Sequence, residues 1–125
     1  MKKSTLALYM ATIGLFISVW TSTAVAANPF TVRAVADFDH PWAMTFMPDG
    51  RLLVTEKPGT LRVVSPDGTI SPPVTGVPKV AYSGQGGLGD VILHPDFANN
   101  RTIYLSYAEA GKLWTKGAAV ARATL

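Results

Sequence analysis

Apolar positions in this chain fall into short runs, each closed by a turn-forming group, and the pattern from Pro29 onward is that of β-strands. Trp42–Met47 places Trp42, Met44 and Phe46 on one side in period two, the signature of a half-buried strand. Pro48-Asp49-Gly50 then turns the chain, because proline presets φ and glycine accepts positive φ. Leu52–Thr55 returns as a second strand, Lys57-Pro58-Gly59 turns again, and Leu61–Val64 is a third. Ser65-Pro66-Asp67-Gly68 repeats the earlier turn. Strands joined in this way form antiparallel hairpins. Phe30–Phe38 also reads as a strand, although Val35 and Phe38 spoil its alternation.

Ile70–Val80 carries Pro72, Pro73 and Pro78, so it is predicted to be a connection or an edge. Leu88–Leu93 is apolar apart from Gly89 and Asp90 and is predicted as a buried strand, with Asp90 needing a hydrogen-bonding partner. Asn99-Asn100 is predicted as a loop tip. Thr102–Tyr107 is rich in β-formers, Ala108–Gly117 reads as a polar loop, and Ala118–Leu125 starts a further strand. No stretch after Pro29 has a helical period. The predicted fold class is all-β, built from short antiparallel strands of the kind that form barrels, sandwiches or propellers.

The first residues follow another pattern. Met1-Lys2-Lys3 precedes the uncharged, mostly apolar run Leu6–Trp20, and Ala24-Val25-Ala26 follows. That is the layout of a secretory signal peptide, residues 1–26, cut after Ala26. It predicts an exported, periplasmic chain with no stable membrane span after cleavage. An uncleaved membrane anchor over residues 4–26 is the other reading of the same run.

The chain of 125 residues is 48% hydrophobic and 15% charged, which bounds it to one domain at most, residues 27–125. The formal charge is +3, and Lys2 and Lys3 contribute two of those charges. The remainder is close to neutral, which argues against a nucleic-acid partner. The absence of cysteine excludes disulfides and thiolate metal sites.

Candidate chemistry gathers at Gly84-Gln85-Gly86-Gly87-Leu88-Gly89. A polar side chain held in a glycine-rich loop at the mouth of a strand is a common way to build a ligand site. The Gln85 amide can both donate to and accept from a ligand hydroxyl; it can equally cap backbone groups of its own turn. His40 and His94 each stand beside a proline without metal-ligand spacing and read as turn residues. Asp49 and Asp67 read as turn formers rather than calcium ligands. Trp42 and Phe46 are predicted as core. Tyr104 and Tyr107 fall on opposite faces of their strand, which rules out a stacking platform.

The run from His40 to Arg62, with His40-Pro41-Trp42, Pro48-Asp49-Gly50-Arg51 and Thr55-Glu56-Lys57-Pro58-Gly59, resembles the opening of the glucose/sorbosone dehydrogenase family. Gly84-Gln85-Gly86-Gly87-Leu88, His94-Pro95-Asp96-Phe97, Asn100-Arg101 and Tyr104–Tyr107 resemble the same family's next signature. The resemblance implies a six-bladed β-propeller that binds pyrroloquinoline quinone (PQQ) and calcium. It implies an oxidoreductase, a soluble aldose sugar dehydrogenase that converts the sugar to a lactone and passes electrons to an acceptor. It gives Gln85 the place of the family glutamine beside the sugar, as the substrate-binding residue.

The resemblance also places the catalytic histidine, the calcium ligands and the groups that hold the quinone in later blades. No catalytic or metal-ligating residue is therefore assigned in this chain. At about 40–50 residues per blade, the residues after the leader are expected to be the N-terminal part of such a propeller, incomplete and inactive alone. The alternatives are a non-catalytic exported binding or assembly module derived from a propeller, and a lactonase-type propeller.

Overall fold

A computed structural model describes residues 29–125; the predicted signal peptide lies outside the described residues. The chain forms two three-stranded antiparallel sheets in meander order. The first contains β1 (Pro41–Phe46), β2 (Leu52–Glu56) and β3 (Thr60–Val64). The second contains β4 (Leu88–Leu93), β5 (Thr102–Ala110) and β6 (Lys116–Thr124). Residues Val32–Leu125 make one compact unit.

The turns of the first sheet form as their residues dictate. In the β1–β2 hairpin the Gly50 N–H donates to Met47 O at 3.0 Å, with Gly50 at a φ of 84°. In the turn after β3, Gly68 N–H donates to Ser65 O at 2.9 Å. Central strand β2 is buried on both sides. Leu53 and Thr55, fully buried, face the second sheet, and Leu53 joins a core with Met47, Leu61, Leu88, Val91, Phe97, Ile103 and Leu105. The opposite side of β2 presents Val54 and Glu56, both buried. The Glu56 carboxylate accepts the Asp39 N–H at 2.9 Å and Arg62 Nε–H at 3.1 Å. A buried charge needs such partners, and this one went unnoticed in the sequence.

Four expectations are corrected. Phe30–Phe38 is not a strand: its backbone joins neither sheet, and Val35 and Phe38 instead border an apolar groove with Met44 and Val54. Asp90 is exposed, because β4 slips by one residue against β5 between Leu88 and Val91. Such a bulge turns its extra residue out of the ladder, and the Asp90 carboxylate only accepts the Val91 N–H at 2.8 Å. Asn99-Asn100 ends a single helical turn, Phe97–Asn100 (α1), too short to show a period. The expected polar loop after Tyr107 is mostly ladder, since Glu109 pairs with Gly117 and Ala110 with Lys116.

Trp42, Met44 and Phe46 do share one face, as their spacing predicts, but in these residues it is an open one. They are 52%, 65% and 68% exposed. Neither Trp42 nor Phe46 is core here.

Candidate functional site

The glycine loop crosses the seam between the sheets. Ser83 and Gly86 pair across a two-residue turn, with Gly86 N–H donating to Ser83 O at 2.9 Å. Gly84 has a φ of 54° and Gln85 does not share the positive sign, the glycine-first pattern of a type II′ turn. Gln85 therefore stands exposed at the tip.

Past the turn the chain threads against β2. Leu88 N–H donates to Lys57 O at 2.9 Å, and Ala108 N–H donates to Gly87 O at 2.8 Å. A Cβ on Gly87 would lie 2.2 Å from Lys57 O, and its φ is 150°, so only glycine fits. One strand further in, the fully buried Thr55 hydroxyl donates to Gly89 O at 2.7 Å and accepts the Ala43 N–H at 3.0 Å. These contacts fix the loop to both sheets.

An open cleft of about 470 Å³ lies beside the turn. Gln85 and Ser83 form its rim, Gly87–Gly89 line it, and Ser106–Ala108 with Lys116–Ala118 form the β5–β6 wall. Trp42 enters from the other sheet. It reaches the cleft because β1 carries its own bulge there: Pro41 pairs with Glu56 and Ala43 with Thr55, leaving Trp42 unpaired. Each sheet thus has one bulge at this cleft. A bulge re-aims a side chain, and period-two reading is blind to it.

The ammonium of Lys57 donates to Gly84 O at 2.8 Å and lies 5.1 Å from the Trp42 ring centroid. Lys116 Nζ donates to Ser83 Oγ. Neither lysine stands out in the sequence, since each contact depends on tertiary placement.

The other candidate polar residues are occupied in turns. His94 Nδ1 accepts the Asp96 N–H at 3.0 Å and faces Asn100 Nδ2 at 2.9 Å, and its ring stacks on Tyr104. His40 Nδ1 lies 2.5 Å from Asp39 Oδ1. Neither histidine lines the cleft. Asp49 accepts from the backbone and side chain of Arg51, and that side-chain bond holds its carboxyl below the ordinary value of 3.8. The Thr69 N–H does the same for Asp67. Tyr107 lines the cleft while Tyr104 lines a separate depression, on opposite faces as their spacing predicts.

Among the described residues no group of three or more His, Asp or Glu side chains converges as a cation site. The cleft offers neutral hydrogen-bonding groups and the ammonium of Lys116, a surface suited to hydroxyls.

The architecture is thus an all-β pair of meander sheets with a polar turn at their seam. The sequence profile of the Glucose / Sorbosone dehydrogenase family matches residues 38–125. Aldose sugar dehydrogenase YliI of Escherichia coli (strain K12) is 46% identical over 103 residues, covering 79% of this chain and 28% of that protein. The crystal structure of the soluble aldose sugar dehydrogenase from Escherichia coli in its apo-form superposes with a TM-score of 0.67 at 48% identity, over 70% of this chain and 25% of that one. The PQQ-bound form of aldose sugar dehydrogenase from Streptomyces coelicolor gives 0.64 at 30% identity, over 73% and 26%. The chain belongs to the glucose/sorbosone dehydrogenase family, and it spans about a quarter of the length of these relatives.

Proposed function

We propose that these residues form the opening part of an exported quinoprotein that oxidises aldose sugars to lactones, and that Gln85 contacts the sugar. The observation that carries this reading is the Ser83–Gly86 turn, which holds an exposed amide at the rim of a cleft where the two sheets meet. A pyranose presents vicinal hydroxyls that both donate and accept, and an amide answers both. The PQQ-bound relative supports PQQ as the cofactor. When bound, it would accept the hydride of the sugar's anomeric carbon.

This chain's part is to bind and orient. Gln85 would hydrogen-bond a ring hydroxyl, and the Gly87–Gly89 backbone would let the sugar approach closely. The catalytic base, the calcium ligands and the quinone-holding groups belong, in this reading, to further blades of a six-bladed propeller. Those blades would also cover Trp42, Met44 and Phe46. The Ala24-Val25-Ala26 pattern supports export to the periplasm with the leader removed after Ala26.

The test uses the complete product of the reading frame that contains these residues, loaded with PQQ and calcium. Gln85→Ala is expected to raise KM for an aldose about tenfold, the scale of one or two lost neutral hydrogen bonds. An unchanged KM sinks the assignment of Gln85. The 125-residue chain assayed alone under the same conditions is expected to show no turnover above blank; measurable lactone formation would overturn that part.

A further inference from the structure

We infer that Lys57 is the positioning residue of the Gln85 turn. The inference rests on the reading of Gln85 as a sugar contact for its functional meaning, but its structural content is independent of that reading.

The weak point of a two-residue turn is its central peptide. Rotating the Gly84–Gln85 peptide plane exchanges one turn type for another with little change in the flanking residues. Glycine at the first central position fits both forms, so locally only the small cost of placing Gln85 at positive φ resists the rotation. The Ser83–Gly86 hydrogen bonds do not involve this peptide. Left to itself, the turn could aim Gln85 in more than one direction.

Lys57 removes that freedom. Its ammonium donates to Gly84 O, the carbonyl of that central peptide, at 2.8 Å. A flipped plane would turn the carbonyl away and forfeit a charge-assisted bond. Lys57 is itself held at three further points. Its N–H donates to His40 O at 3.0 Å, its carbonyl accepts the Leu88 N–H at 2.9 Å, and its ammonium lies over the Trp42 ring. Trp42 is there because of the bulge in β1. The first sheet thus sets the direction of a side chain carried by the loop that leads into the second. Lys116 steadies the rim at Ser83 Oγ, but a side-chain hydroxyl does not define the peptide plane.

The experiment measures nuclear Overhauser contacts and amide hydrogen exchange together with sugar kinetics in the complete product of the reading frame. Lys57→Met keeps the aliphatic stem over Trp42 and removes the donor. It is expected to bring up a nuclear Overhauser contact between the Gly84 and Gln85 N–H protons, which lie far apart in this turn and close together once the peptide plane rotates, with amide exchange at Ile103 and Leu105 unchanged. KM for the aldose should rise about five- to tenfold, the scale of an exposed charged hydrogen bond, while kcat stays within about twofold, because binding geometry is altered and the reacting groups are not. Lys57→Arg, which keeps a donor of similar reach, should lose that contact and return KM to within about threefold of the parent.

Absence of that Gly84–Gln85 contact in Lys57→Met overturns the inference. So does an arginine variant that shows the contact as strongly as the methionine variant. Accelerated exchange at Ile103 and Leu105 would make Lys57 a general support of the seam and would also overturn it. If Lys57→Met mobilises the turn but neither it nor Gln85→Ala moves KM, the positioning role stands and the sugar assignment falls.

Discussion

The two sheets share a topology and differ at their outer edges. At β3 the proline-rich connection lies along the free edge as a cover. Ser71 N–H donates to Val63 O and Val74 N–H to Leu61 O, each at 2.9 Å, while Ser71 Oγ accepts the Val63 N–H at 3.0 Å. Pro72 and Pro73 have no N–H to offer and fall between the two donors. At β6, nine residues long, no ladder partner occupies the outer edge among the described residues. An uncovered edge is a template for another strand. The contrast shows that residues excluded from a strand interior can still close its edge, provided donors flank the prolines.

The contrast between a packed strand and an open edge strand can be broken by mutation. Leu53 in β2 is fully buried and Val120 in β6 is 73% exposed. Leu53→Ala is expected to cost about 2–5 kcal/mol, and Val120→Ala no more than about 0.5 kcal/mol, both read by denaturant unfolding. Similar losses would show that the sheets do not differ in this way. The seam comes next. Thr55→Val keeps the shape but leaves Gly89 O without its buried donor, at an expected cost of about 1–3 kcal/mol; a neutral result would show that the second sheet docks without this bond.

The edge cover should have a smaller effect. Ser71→Ala removes the acceptor of the Val63 N–H, and a loss of about 1 kcal/mol is expected, with faster amide exchange at Val63. Unaltered exchange there would mean that the connection shields the edge without this bond. The smallest effect is electrostatic. Asp49 and Asp67 have carboxyl pKa values lowered on folding by their Arg51 and Thr69 contacts. Lowered values favour the ionised, folded form, so their contribution is present above the ordinary value of 3.8 and lost as pH falls through the folded values. Asp49→Asn should lower stability slightly at neutral pH and converge with the parent in acid, which flattens the acid limb of a stability–pH curve.

Much of the fold was legible because the local signals agree with one another. Pro48-Asp49-Gly50 and Pro66-Asp67-Gly68 demand turns, and the runs they bound are short and largely apolar. Phe30–Phe38 failed because β propensity does not by itself bring a segment into register with a sheet edge. Asp90 failed because a bulge shifts the alternation by one residue without leaving a gap in the sequence. Gln85 was singled out through its glycines. Lys57 was not, since it looks like an ordinary turn lysine until Trp42 and Gly84 O, from distant parts of the chain, meet it. Glu56 escaped for the same reason, its partners being Asp39 and Arg62.

The meander has a consequence for the order in which the chain assembles. Every ladder joins strands adjacent in sequence, so each hairpin closes a small loop and can form on the microsecond scale. The Thr55–Gly89 bond instead joins residues 34 apart, across a proline-rich stretch with no ladder of its own. Loop-closure entropy must be met there before packing rewards it. The slow event in folding is therefore the joining of two preformed hairpin sets, and the Gln85 turn acquires its final shape only when that joining is complete.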